Sequence, residues 1–89
     1  MKELTDIRKE LDGIDGRLLS LLIDRQELVE QVIAYKNKHG LPIRDLAREE
    51  EILNNKINLA QDKLDPDFVK DIFRRIIEES CRLQESLKK

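Results

Sequence analysis

Four cations, one carboxylate and two neutral hydrogen-bonding groups interrupt the apolar faces of this chain or open one of its helices: Arg8, Arg25, Lys36 and Arg48, with Glu49, Ser80 and Gln84. Arg25 stands in an apolar repeat where a leucine is expected, so it is either a register device or a cation pointed into a site. Lys36 follows by eleven residues, about three helical turns, which places the two on one face roughly 16 Å apart along the axis. Two long side chains leaning together at that separation can hold a small molecule between them. Arg8 shares a heptad column with Lys36 but lies about 42 Å away, out of reach within one chain. Arg48 and Glu49 open a predicted helix, where free amide hydrogens and the helix dipole favour an anion, although a solvated charged turn would read the same way. Ser80 and Gln84 sit four residues apart on an apolar stripe, as bundle-interior hydrogen bonders or as ligand contacts. Taken together, a cluster of buried cations without anions would cost several kcal/mol per ion. A dianionic ligand resolves that excess.

Three helices must position these groups. Leu4, Ile7, Leu11, Ile14, Leu18, Leu21, Leu28, Val32 and Tyr35 recur at spacings of three and four with Arg25 filling the vacancy, the seam by which one long helix packs on others. The pattern predicts a helix over about 4–39, with Thr5, Asp6 and Glu10 as cap and first-turn residues. Gly13 and Gly16 each cost about 1 kcal/mol inside a helix, but both fall off the seam, so the helix is read as continuous. His39-Gly40 followed by Pro42 ends it. Asp45 is the predicted N-cap of a second helix over about 45–64, whose apolar set is Leu46, Ile52, Leu53, Ile57, Ala60 and Leu64. Asp65-Pro66-Asp67 then starts a third helix over about 66–87, an N-cap aspartate with proline at the first helical position. Its stripe is Val69, Ile72, Phe73, Ile76, Ile77, Leu83 and Leu87.

Composition agrees with an all-α domain. The 89 residues are 39% hydrophobic and 40% charged with three aromatics, a balance suited to helices with one apolar face. A helix of 36 residues is about 54 Å long, far longer than a globular domain of this size is wide, so much of its seam would stay wet in a monomer. A partner chain is expected. In an antiparallel pair centred near residue 21, Arg8 of the second chain would lie opposite residue 34, between Arg25 and Lys36. The net charge is −2 with signs interspersed, which argues against nucleic acid. Apolar runs such as Leu21 to Ile23 are too short for a membrane span or a secretory signal. The single cysteine, Cys81, and the single histidine, His39, leave no internal disulfide and no metal cluster, and favour the cytoplasm.

The runs Ile7-Arg8-Lys9, Leu11-Asp12-Gly13-Ile14-Asp15, Leu18-Leu19-Ser20-Leu21-Leu22-Ile23-Asp24-Arg25, Pro42-Ile43-Arg44-Asp45 with Arg48-Glu49, and Ile76-Ile77-Glu78-Glu79-Ser80 with Gln84 closely resemble the all-helical class of chorismate mutases. The resemblance covers essentially the whole chain. It implies an intertwined antiparallel homodimer of three-helix protomers with two sites, each completed by an arginine of the other chain. It further implies that Arg25 and Arg48, with the second chain's Arg8, bind the two carboxylates of chorismate. Lys36 and Gln84 would hydrogen-bond the ether oxygen of the breaking bond, Asp45 and Glu49 would address the ring hydroxyl region, and Ser80 a carboxylate. Conversion of chorismate to prephenate is a one-substrate pericyclic rearrangement that needs no nucleophile, metal, cofactor or proton relay. The sequence offers no convincing candidate for any of these, and Cys81, with no histidine nearby, reads as a small packing residue.

Two rivals remain at this level. An isochorismate pyruvate lyase shares the architecture and could use the same cations on an isomeric dianion. A non-catalytic helical dimerisation module explains the seam, but not the polar groups that interrupt three separate apolar faces at mutually reachable places.

Overall fold

The computed structural model describes residues 2–87, and these form three helices and no strand: α1 (Leu4–His39), α2 (Leu46–Ala60) and α3 (Pro66–Ser86). α1 is unbroken through Gly13 and Gly16, and added side-chain carbons at either glycine would meet nothing within 4 Å. Its N-cap is Glu3, without a side-chain bond; Thr5 lies inside the first turn rather than capping it, and Asp6 supplies the first-turn negative charge. At the other end Gly40 takes the left-handed conformation (φ 63°), and the Leu41 amide reaches back to the Lys36 carbonyl at 3.0 Å. This close is glycine-dependent because a Cβ is unfavourable at positive φ.

Asp45 Oδ1 accepts from the Arg48 amide at 3.0 Å and so caps α2 as its sequence context predicts. α2 is shorter than expected. It stops at Ala60 rather than near Leu64, because Gln61 (φ 49°) and Asp62 (φ 62°) both turn left-handed and the Lys63 amide closes the turn on the Ala60 carbonyl. Asp65 Oδ1 accepts from the Asp67 amide at 2.9 Å, and Pro66 takes the first position of α3 at no cost in hydrogen bonds.

α2 folds back along α3, while α1 meets α3 only over its C-terminal part and makes no close backbone approach to α2. The result is a rod of 57 × 24 × 15 Å. Its apolar core is small: Ile33 of α1, Leu53 of α2, and Val69 and Ile77 of α3. Here the expected packing needs correction. The seam of α1 from Leu4 to Tyr35 faces solvent in the single chain, with Leu4, Ile7, Leu11, Ile14, Leu18, Leu21, Leu28, Val32 and Tyr35 between 42% and 63% exposed. Within the chain α1 packs through a neighbouring stripe, the half-buried Arg25, Val29 and Lys36 with the buried Ile33. Leu46 and Leu64, assigned to the inner face of α2, are exposed as well. No described helix is long and apolar enough to cross a membrane.

Candidate active site

The packed end of the molecule brings the polar groups of α1 and α3 together in two pairs. Arg25 Nη1 donates to Ser80 Oγ at 2.5 Å. Ser80 Oγ in turn donates to the Ile76 carbonyl at 3.0 Å, one turn back along α3, which aims the hydroxyl lone pairs at the guanidinium. Leu22, Val29, Ile76 and Leu83 wall the groove of about 350 Å³ in which this pair sits, with Gln26, Arg75 and Glu79 at its edge. Burial, and after it the positive charge of Arg48, lowers the Arg25 pKa from its ordinary value. Both causes express one condition: a guanidinium partly removed from water, beside another cation, with a neutral hydroxyl as partner. An anion in the groove would relieve it.

One turn further along α3, Lys36 Nζ donates to Gln84 Oε1 at 3.0 Å and to the Ile43 carbonyl at 2.6 Å. Gln84 is 7% exposed, the one buried polar side chain among the described residues. By occupying the amide oxygen, Lys36 turns the Gln84 NH2 the other way as a fixed donor, and one ammonium hydrogen remains for a further acceptor. The pair lies at a second recess, formed by Ile33, Asn37 and the Gly40–Ile43 connection. Asn37 Nδ2, 3.4 Å from the Leu87 carbonyl, adds a tie between α1 and the end of α3. The Ile43 carbonyl as a lysine acceptor was not legible in the sequence, since a backbone group carries no residue-type signal.

The start of α2 is arranged differently from the expectation. Asp45 spends Oδ1 on the helix cap. Arg48 turns its guanidinium to Glu51 rather than to the Arg25–Ser80 pair, and both partners are exposed. Glu49 is held by Arg44, whose Nε donates to Oε2 at 3.1 Å and Nη2 to Oε1 at 2.5 Å. Arg8 is exposed on the far part of α1, and the single chain does not bring it to the other six groups. The structure therefore assembles Arg25, Lys36, Ser80 and Gln84 directly. Arg48 stands near enough to act on Arg25 through its charge, while Glu49 is clamped at the neighbouring helix start. Arg44 appeared in the sequence only as part of a run. Its spacing of five from a helix-opening glutamate, across a cap, was the available signal.

Cations and neutral donors over a groove suit the binding and orientation of a small anion. A model of the family described as chorismate mutase type II matches residues 7–85. The chain is 34% identical over 85 residues to a chorismate mutase of Methanocaldococcus jannaschii, covering 94% of this chain and 86% of that one. It is 33% identical over 84 residues to a 4-amino-4-deoxychorismate mutase of Streptomyces venezuelae, covering 93% and 82%. It is 39% identical over 79 residues to a T-protein of Enterobacter agglomerans, where 88% of this chain spans 21% of the relative, so the chain corresponds to about a fifth of such longer proteins. With the family match extending over nearly all of its length, this chain belongs to the chorismate mutase type II family.

Proposed function

We propose that this chain, as a single domain, is a chorismate mutase, converting chorismate to prephenate on the way to phenylalanine and tyrosine, in the cytoplasm. The observation that carries the reading is the pairing of Lys36 with Gln84 beside the pairing of Arg25 with Ser80. In the rearrangement the bond from the ether oxygen to the ring breaks as a carbon–carbon bond forms between the enolpyruvyl methylene and the ring. Negative charge grows on the ether oxygen as its bond lengthens. The remaining ammonium hydrogen of Lys36 and the Gln84 NH2 are donors that stabilise that charge, and two preset donors need no reorganisation when it develops. Arg25, Arg48 and Ser80 take the carboxylates, holding the flexible enolpyruvyl arm over the ring, which converts rotational freedom into rate. Arg48 reaches its carboxylate by exchanging Glu51 for the ligand, a swap between two exposed surface partners at little cost.

The site is completed in an antiparallel homodimer, in which the second chain covers the exposed seam of α1 and supplies its Arg8 near Lys36. The length of the seam supports this. Nine large apolar side chains in register along one helix exceed what a monomer leaves in water. Asp45 and Glu49 lie at the start of α2, and Glu49 addresses the ring substituent that is a hydroxyl in chorismate. The name of the Streptomyces venezuelae relative indicates an amino group in that place, so this end of the site also sorts substrates.

Purified protein mixed with chorismate is expected to deplete its absorbance and to yield prephenate. Pyruvate as product would mean the lyase, and unchanged chorismate would mean a binding module. A bicyclic dicarboxylate that mimics the transition state should raise the melting temperature, by the equivalent of about 2.7 kcal/mol at a hundredfold excess over its dissociation constant. Arg25→Ala is expected to abolish that rise.

A further inference from the structure

Arg44 lies in the connection before α2, outside every group assigned above, yet it makes the most complete side-chain contact at the site's edge. Both oxygens of Glu49 are taken, at 3.1 and 2.5 Å, by the two donors of one guanidinium. The Glu49 side chain is 17% exposed and that of Arg44 55%. The pair sits over a recess between the start of α2 and α3 that Arg74 and Glu78 also line, with Leu53 and Ile77 at its floor. The fork raises the Arg44 pKa, chiefly through its hydrogen bonds to Glu49 and then through that carboxylate's charge, so the guanidinium stays charged at any working pH.

A carboxylate offers about four acceptor positions, and Arg44 occupies two of them. The remaining two can still accept from a hydroxyl. What changes is the charge that a ligand meets. A lone carboxylate would attract an ammonium much more strongly than a hydroxyl, whereas a carboxylate already matched by a guanidinium presents a neutral pair. An ammonium brought against that pair would gain little and would face Arg44 itself, in a site already rich in cations. A neutral hydroxyl pays no such penalty. We propose that Arg44 is a specificity-determining residue acting through Glu49: by neutralising that carboxylate it makes the site select a ring hydroxyl over a protonated ring amine. Arg44 is thus a positioning residue and touches no reacting atom. This inference rests on the placement of Glu49 at the ring substituent given in the proposed function.

The test is the ratio of kcat/KM on 4-amino-4-deoxychorismate to that on chorismate, in the parent, Arg44→Ala, Arg44→Lys, Glu49→Gln and the Arg44→Ala/Glu49→Gln pair, with melting temperatures alongside. The parent should favour chorismate. Arg44→Ala should shift the ratio toward the amine by about tenfold, the order of one hydrogen bond to a charged group. Arg44→Lys, which keeps the charge and loses the fork, should hold the ratio near the parent value. In the Glu49→Gln background the alanine substitution should leave the ratio unmoved. Equal losses on both substrates with a lowered melting temperature would overturn the inference in favour of a merely structural clamp. Glu49→Gln kinetics identical to the parent on both substrates would overturn the placement of Glu49 and the inference with it. Failure of the parent to convert chorismate would instead sink the proposed function.

Discussion

The two ends of α1 live in different environments although their sequences follow one repeat. From Leu4 to about Leu21 every residue is exposed, the apolar seam included. From Arg25 to Lys36 a neighbouring stripe is drawn down onto α3, with Ile33 buried and Arg25 and Lys36 bonded across to Ser80 and Gln84. The same residue types thus serve two purposes. At the packed end, one helix face contributes half of the candidate site. At the free end, an equally apolar face is left uncovered by the rest of the chain, the surface that the proposed second chain would bury. Four buried apolar residues among those described make a slight core for a domain.

Breaking the free end should therefore have the largest effect. Replacing Leu11 and Leu18 together by aspartate removes two side chains whose burial is each worth about 1.5–3 kcal/mol, twice over in a symmetric dimer. The expected result is an unfolded monomer at concentrations where the parent is helical, read by sedimentation and far-ultraviolet circular dichroism. A stable, active, helical monomer would end the dimer reading.

Mixing experiments sharpen the comparison by separating the two ends genetically. Arg8→Ala and Arg25→Ala should each reduce activity by about 10²–10³-fold, as losing one charge-stabilising donor does. After unfolding and refolding together, random pairing makes half of the dimers mixed, each with one intact site, so about a quarter of parental activity should return. Activity no higher than the average of the two variants would place Arg8 outside the site.

A smaller, conditional effect is expected at the packed end itself. Gln84→Glu replaces a permanent donor with one that donates only when protonated. Once ionised, the glutamate opposes negative charge on the reacting oxygen. Burial would raise that carboxyl's pKa and Lys36 would lower it, so only the direction follows: substantial activity in mild acid, falling as pH rises, against a flatter parental profile. Initial rates of chorismate loss for both proteins across that range decide it, and parallel profiles would mean Gln84 does not contact the ether oxygen.

The smallest effect belongs to Glu79 at the edge of the groove. Its pKa is lowered, chiefly by hydrogen bonds from Arg82; burial opposes that shift, and the charges of Arg82 and then Arg75 add to it. A depressed carboxylate contributes stability that is present above its unfolded pKa and lost as pH falls through its folded one. The pair is exposed, so the contribution is slight. Glu79→Gln should lower stability slightly in denaturant melts at neutral and alkaline pH and make no difference in acid, where the parent has already lost the contribution. An equal loss at both ends would indicate packing rather than charge.

Much of this molecule was legible in one dimension. The close of α1 at Gly40, the cap at Asp45 and the start of α3 at Asp65-Pro66 are where the sequence predicts, because capping is decided by side chains within four residues of the amides they serve. The pairs Arg25–Ser80 and Lys36–Gln84 join residues singled out as polar interruptions of apolar faces, a signal that survives without knowing what faces what. Tertiary structure decided the rest. Two apolar stripes run side by side on α1, and periodicity alone could not say that Ile33 rather than Val32 or Tyr35 would be buried against α3. Nor could composition end α2 at Ala60, where two consecutive left-handed residues turn the chain. The partners of Arg44, Arg48 and the Lys36 ammonium likewise followed only once the connection and the two helix ends were placed in space. Charged side chains on a mobile stem choose among several partners within reach, and which are within reach is a property of the fold.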